Sequence, residues 1–74
     1  MKIVKVFKTN VSDTLTARQI VRFLQQRFDN YRINFDLDDC DRILRIESQY
    51  GTITEIEIQG LIARWGYRCE PLPG

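Results

Sequence analysis

Hydrophobic and polar residues alternate along several short segments of this chain. The most regular alternation covers residues 31–38, where Tyr, Ile, Phe and Leu occupy every second position between charged or polar residues. Residues 2–8 and 42–48 show the same period of two, which is typical of β-strands that bury one face. A shorter segment, residues 67–71, completes a set of four predicted strands. Pro71 makes it an edge strand, because proline cannot donate a hydrogen bond to an interior ladder.

The first predicted strand does not show which of its faces is buried. Val4 and Val6 share one side, whereas Ile3 and Phe7 share the other side with Lys5. Both sides therefore carry apolar residues, and the alternation leaves the choice open.

Two segments between the strands carry apolar residues at steps of three and four, as an amphipathic helix requires. The first stripe consists of Ala17, Ile20, Val21, Leu24 and Phe28. The second stripe consists of Ile58, Leu61, Ile62 and Trp65. Asn30 suits the end of the first helix, and Gly66 ends the second because glycine adopts a positive φ at no steric cost.

Both predicted helices begin with a threonine that can cap the helix and a Gln or Glu three residues later. The two pairs are Thr16 with Gln19 and Thr54 with Glu57. An apolar residue before each threonine can pack on one inside the helix, as in a hydrophobic staple. These pairs are Leu15 with Ile20 and Ile53 with Ile58. The first helix is therefore predicted to begin at about Ala17.

The order of elements is strand, helix, strand, strand, helix, strand. Two short helices cannot cover both faces of a four-stranded sheet, so we expect them side by side on one face. A right-handed crossover between the first two strands, with the third strand between them, gives the sheet order 4-1-3-2. The sequence thus predicts an α+β, ferredoxin-like sandwich in which residues 1–74 form a single domain.

Composition excludes several classes of function. The chain has 74 residues and a formal net charge of +1, from 11 basic and 10 acidic residues, which attracts neither nucleic acid nor an anionic membrane. It contains no histidine and no glycine-rich phosphate loop, so we do not expect an enzyme. No apolar run reaches the roughly 20 residues that span a bilayer. The first residues lack the features of a signal peptide, so we expect a cytoplasmic protein.

Two segments resemble the heavy-metal-associated domain, the ferredoxin-like fold of copper chaperones and of amino-terminal modules of metal-pumping ATPases. Residues 33–37, Ile-Asn-Phe-Asp-Leu, are similar to the family's Val-x-Val-Asp-Leu strand, and residues 58–67 are similar to its Ile-x-x-Ala-Ile-x-x-Ala-Gly-Tyr ending. The resemblance implies that the loop after the first strand holds a Gly-Met-x-Cys-x-x-Cys motif that clamps Cu(I). The cysteine positions fall on Val11 and Thr14, or on Asp13 and Thr16 in the other register.

Neither register contains sulfur, although soft cations require sulfur ligands. We therefore expect that this chain keeps the scaffold but has lost the soft-metal site, and that it binds no cofactor. The alternative is a metal-binding or metal-transfer protein that uses non-standard ligands for a divalent ion or Cu(I). Its candidate ligands are Cys40, Asp39, Asp41 and Asp13. Cys69, the other cysteine, corresponds to an inward position of the last strand and is expected to fill the core.

A protein-interaction or self-association module is the leading functional hypothesis. The second strand is an exposed edge in the predicted sheet order, and it is regular enough to pair with a strand of another chain. The candidate interaction edge consists of Tyr31, Ile33 and Phe35. The expected partner is a protein or a second copy of this chain. A third hypothesis, a small-molecule sensor, finds no distinguishing residues.

Overall fold

The computed structural model describes residues 2–38 and 42–73. In chain order the elements are β1 (Ile3–Thr9), α1 (Thr14–Arg27), β2 (Tyr31–Asp36), β3 (Ile43–Ser48), α2 (Glu55–Arg64) and β4 (Cys69–Pro71). The predicted order of elements is confirmed, with strand ends that differ by one or two residues. Neither helix in the described ranges is long and apolar enough to cross a membrane.

The four strands form one sheet in the order β2-β3-β1-β4, and each pair of neighbouring strands runs antiparallel. This order is the predicted one. Since β1 and β2 are both antiparallel to β3, they run parallel to each other on either side of it. The two edges of the sheet are therefore β2, which is six residues long, and β4, which has three residues and contains Pro71.

One face of the sheet carries the core. The register sets Leu44 of β3 between Phe7 of β1 and Phe35 of β2, and the neighbouring Ile46 lies opposite Ile33. Both helices contribute buried residues to the same cluster, so both cover this face. The helical members of the cluster are Ala17, Ile20, Leu24, Ile58 and Ile62.

The open question about β1 is answered by its register. Phe7 is fully buried, while Val4 and Val6 lie on the opposite, solvent-facing side across from Glu47 and Arg45. Charged residues occupy most of that open face. Lys5 lies on the core side at the level where β4 has already ended, and its ammonium pairs with Glu55 at the start of α2 at 3.1 Å.

The start of α1 differs from the prediction. The helix begins at Thr14, and its cap is Asp13, whose carboxylate accepts a hydrogen bond from the Thr16 amide at 3.0 Å. Thr16 is therefore a residue of the first turn and not the cap. Leu15 is 63% exposed, so the predicted staple onto Ile20 is also wrong. Aspartate is a strong cap residue, and here it stands three positions before a threonine that could itself act as one.

The start of α2 matches the prediction in position but not in bonding. Thr54 occupies the cap position without a side-chain hydrogen bond to the helix. Glu57, its expected partner, instead accepts a hydrogen bond from Arg27 of α1 at 2.6 Å. Ile53 and Ile58 are both buried in the core, as the staple requires.

The end of α2 places an aromatic residue on the surface. Gly66 has φ +90 and follows the helix, as predicted. Trp65 is 37% exposed, and its ring packs edge-on against Phe23 of α1 with the centroids 6.0 Å apart. Trp65, the last residue of the predicted apolar stripe, is therefore not in the core cluster but at the surface, where it packs on Phe23.

Candidate functional site

The loop between β1 and α1 is where the resemblance would place metal ligands. Val11 is fully buried and belongs to the core cluster. Its amide donates a hydrogen bond to the hydroxyl of Thr9 at 3.3 Å, and that hydroxyl donates to the carbonyl of Arg42 at 2.6 Å. Asn10 accepts a hydrogen bond from the amide of Arg68 at 2.7 Å, which ties the loop to the chain before β4. One of the two possible ligand registers is therefore occupied by a core valine.

The other register is occupied by the helix cap. One carboxylate oxygen of Asp13 accepts hydrogen bonds from both the amide and the hydroxyl of Thr16, at 3.0 and 2.8 Å. The hydroxyl bond is the main reason that the pKa of Asp13 lies below its ordinary value, and the amide bond adds to it. These two side chains satisfy each other at the start of α1. The pair therefore has a structural role in this loop, which is to cap the first turn of α1.

Removal of the Asp13 carboxylate tests this role. Because the pKa of Asp13 in the folded state lies below 3.8, its ordinary value, the charged cap adds stability above that pH and loses it as the pH falls further. We expect Asp13→Ala to lower the Tm at neutral pH, and Asp13→Asn, which caps without a charge, to keep most of it. Thermal denaturation followed by circular dichroism should show the gap between wild type and Asp13→Asn closing as the solution is acidified. A gap that does not change with pH would contradict the charged cap.

Asp13 is the one predicted metal ligand that falls within residues 2–38 and 42–73. Asp39, Cys40 and Asp41 lie outside the described residues. Asp36 accepts a hydrogen bond from the amide of Asp38 at 3.2 Å, as in an aspartate-stabilised turn. Within residues 2–38 and 42–73 no three Cys, Asp or Glu side chains come together in a way that could hold a metal ion.

Cys69 lies on the core side of β4, opposite Thr9 of β1. It packs against the core cluster, in agreement with the prediction. Burial raises the pKa of the Cys69 thiol to about 12, and the negative charge of Glu70 contributes a smaller part. The thiol is therefore protonated at neutral pH, and it lacks the thiolate character that nucleophiles and metal ligands need.

A groove lies between the outer edge of β2 and helix α1, and we call it the β2 groove. Its volume is about 770 Å³. Apolar side chains from both elements, including Val21 and Phe35, form part of its lining, and Arg18 and Arg22 of α1 border it. The predicted interaction edge is therefore part of a wider surface, with an apolar lining, two arginines on the α1 side, and Asp36 and Asp38 on the other side.

The direction of the backbone groups along β2 follows from the bonds of the other strands. In an antiparallel pair the N–H and C=O of one residue point to the same side, and successive residues alternate. The carbonyl of Val6 accepts a hydrogen bond from the amide of Leu72 at 2.8 Å, so the backbone groups of Val6 point away from β3. Those of Phe7 therefore point towards β3, where Phe7 lies opposite Leu44.

The same alternation continues into β2. Since Leu44 faces β1, the backbone groups of Arg45 face β2, where Arg45 lies opposite Asn34. Asn34 therefore bonds to β3, and its neighbours Ile33 and Phe35 direct their N–H and C=O groups outward, over the β2 groove. No partner for these groups is found within residues 2–38 and 42–73, and such a strand edge can accept a strand from another chain.

The start of β2 supports this assignment independently. The amide of Tyr31 donates to the carbonyl of Phe28 at 3.1 Å, and its carbonyl accepts a hydrogen bond from the side chain of Gln25. Tyr31 thus points its backbone groups away from β3, as Ile33 and Phe35 must do two and four residues later. Here, however, Gln25 of α1 and Phe28 just after it already bond to these groups.

The structure therefore reduces the predicted interaction edge from three residues to two. Tyr31 is buried, and its hydroxyl donates to the carbonyl of Thr52 at 3.0 Å and accepts from the amide of Thr54 at 3.3 Å. This side chain holds the loop before α2 and does not face the groove. Ile33 and Phe35 remain as the edge residues with outward backbone groups.

The basic side of the groove was not found from the sequence. Arg18 and Arg22 occupy the polar side of the helical stripe, where solvated charges are common, so their spacing gave no signal. Their position beside β2 depends on where α1 crosses the sheet. A scan against models of protein families, a search of curated proteins and a search of solved structures each found no match to this chain.

Proposed function

We propose that this chain is a non-catalytic protein-interaction domain that binds an extended segment of a protein by adding it as a strand to β2. The observation that carries the proposal is the pair of outward backbone groups at Ile33 and Phe35, directly beside the β2 groove. Strand addition gains affinity from main-chain hydrogen bonds and specificity from the alternate side chains of the bound strand.

The proposal also specifies what the bound strand should look like. Its side chains on the helix side would contact the apolar lining around Val21 and Phe35. The charged lining residues are two arginines and two aspartates, Arg18, Arg22, Asp36 and Asp38, so both signs of charge are available to polar groups of the bound strand. Its side chains on the other side would lie beside Asn34, on the charged face of the sheet. An extended segment in which apolar residues alternate with polar ones fits both sides.

The proposal includes a ferredoxin-like fold related to the heavy-metal-associated domain, without its soft-metal site. The strand order and the placement of both helices on one face support the fold. The buried Val11 and the hydrogen-bonded pair of Asp13 and Thr16 support the loss of the site. Metal binding by Cys40 and its acidic neighbours stays a prediction, because these residues lie outside the described chain.

Chemical synthesis of the chain, with Cys40 as the ligation junction, allows a test at a single backbone atom. Peptides are selected from a library of short extended sequences, and their contacts are mapped by amide chemical shifts in isotope-labelled protein. We expect the largest shifts at the amides of Ile33 and Phe35. N-methylation of Phe35 removes one outward donor and keeps the side chain, so it should weaken peptide binding by about tenfold or more and leave the fold intact.

N-methylation of Cys69 is the matched control. The amide of Leu72 bonds to Val6 of β1, and backbone groups alternate in direction along β4. The amide of Cys69, three residues earlier, therefore points away from β1, outward on the opposite edge of the sheet. This modification should leave peptide binding unchanged. Binding that maps to another surface, or that tolerates N-methylation of Phe35, would refute strand addition at β2.

A further inference from the structure

We propose that the strand which β2 accepts is β2 of a second copy of this chain, antiparallel to the first and related to it by a two-fold axis at Asn34. This inference rests on the proposed function, since it names the partner of the same edge. It joins two four-stranded sheets into one continuous sheet.

Backbone geometry restricts the register of such a pair. Two β2 strands can bond only through backbone N–H and C=O groups that point away from β3. Ile33 and Phe35 of one copy must therefore lie opposite odd-numbered residues of the other copy's β2. With Asn34 on the axis, Ile33 lies opposite the partner's Phe35, and Phe35 opposite the partner's Ile33. In each of these two pairs the N–H of either residue donates to the C=O of the other. Residues whose backbone groups already bond to β3 take no part.

The side chains favour the same register. On the open face of the sheet, Arg32 lies opposite the partner's Asp36, and the two-fold axis repeats this pair of opposite charges. Both side chains are exposed in the single chain. On the helix side, Ile33 lies opposite the partner's Phe35, again twice. Opposite charges and apolar pairs directly across from one another stabilise antiparallel strands.

The neighbouring registers are less complementary. With the axis at Ile33, Arg32 lies opposite the partner's Asn34 and loses its acidic partner. With the axis at Phe35, Asp36 lies opposite the partner's Asn34, and Arg32 reaches only Asp38, which follows the end of β2. The Asn34 register alone pairs the charged residues within β2 with each other.

The other edge of the sheet offers no comparable partner. β4 has three residues and contains Pro71, so a head-to-tail pair of β2 with β4 would be short. Pairing β2 with β2 instead uses the same surface twice and closes as a dimer. Arg22 and Asn34 both line the β2 groove, so an axis at Asn34 also brings the like charges of the two arginines towards the same groove. We therefore expect a weak dimer that forms at high protein concentration.

Charge reversal at the two positions tests the register. Arg32→Asp makes this edge wholly acidic and Asp36→Arg makes it wholly basic, so each variant alone should dimerise about tenfold more weakly than wild type. An equimolar mixture of the two variants should form a heterodimer, because each charge again meets its opposite. Sedimentation equilibrium of each variant, of the mixture and of wild type measures these affinities.

The control is Arg45→Asp, which makes the same change of charge on the same face but one strand in from the edge. It should not weaken the dimer. Heterodimer formation also shows that both single variants fold. A dimer that is indifferent to Arg32→Asp and Asp36→Arg would refute the register.

The failure of this inference is distinguishable from the failure of the proposed function. A wild-type chain that stays monomeric up to near-millimolar concentration, while selected peptides still shift Ile33 and Phe35, would overturn the second copy as partner and leave strand addition standing. Peptides that bind elsewhere, together with a monomeric chain, would overturn both.

Discussion

Replacing Leu24 by alanine should lower the free energy of unfolding by about 2–5 kcal/mol, the usual cost of a large cavity in a protein core. Leu24 of α1 is fully buried in the cluster between the helices and the sheet. A domain of this length has a total stability of roughly 4–11 kcal/mol, so one such cavity removes a large part of it. Urea denaturation followed by circular dichroism would measure the shift of the midpoint.

Leu15→Ala is the matched control, since it makes the same substitution in the same helix at a residue that is 63% exposed. We expect it to change the free energy of unfolding by no more than about 0.5 kcal/mol. A cost at Leu15 similar to that at Leu24 would mean that Leu15 packs against the protein in solution, as the staple inferred from the sequence required. The comparison therefore tests the observed start of α1 as well as the core.

The pattern of apolar residues was sufficient for the architecture because the two sides of most elements differ strongly. β2 alternates without exception, so its start and its buried face could both be predicted, although it ends two residues before the alternation does. β1 has valines on one side and Ile3 and Phe7 on the other, and only its pairing with β3 decides between them. Periodicity could not decide which face of β1 is buried, because both faces are apolar enough to be buried.

The errors at the helix ends have a local cause. Asp13 and Thr16 are both good cap residues, and each has a suitable partner three positions later, so the sequence allows two starts for α1. The observed start uses Asp13, which leaves Thr16 as its hydrogen-bond donor. Trp65 instead packs on Phe23 of the other helix, a contact between two elements that the spacing within either helix does not encode.

The candidate interaction edge was only partly predictable. The sheet order made β2 an edge, and that followed from the sequence of elements. Which of its residues direct backbone groups outward depends on the pairing of all four strands, starting from the bond between Val6 and Leu72. Tyr31 was therefore grouped with Ile33 and Phe35, although the turn after α1 uses its backbone and the loop before α2 uses its hydroxyl.

The β1–α1 loop is the place to which the resemblance assigns metal ligands. Here Val11 is buried and Asp13 is bonded to Thr16, so both have structural roles. Packing and helix capping therefore account for the side chains at these two positions.

Thr9 links this loop to the rest of the fold, and Thr9→Val should lower the free energy of unfolding by about 2–4 kcal/mol, because it leaves two backbone groups without a partner. The Thr9 side chain is buried, and its hydroxyl bonds to the carbonyl of Arg42 and the amide of Val11. Valine has nearly the same shape, so the loss isolates the hydroxyl. The same denaturation experiment measures it.

Thr9→Ser separates the hydroxyl from the methyl group. It keeps both hydrogen bonds and removes one buried methyl, so it should cost about 1 kcal/mol, clearly less than Thr9→Val. Hydrogen exchange at the Val11 amide gives a second measurement, since Thr9→Val should accelerate it and Thr9→Ser should not.

Arg42 has φ +49, a conformation that a non-glycine residue adopts only when its surroundings hold it there. A Thr9→Val variant as stable as wild type would show that the hydrogen bond from Thr9 to the Arg42 carbonyl does not fix the start of β3. The β1–α1 loop and β3 would then be held together by packing alone.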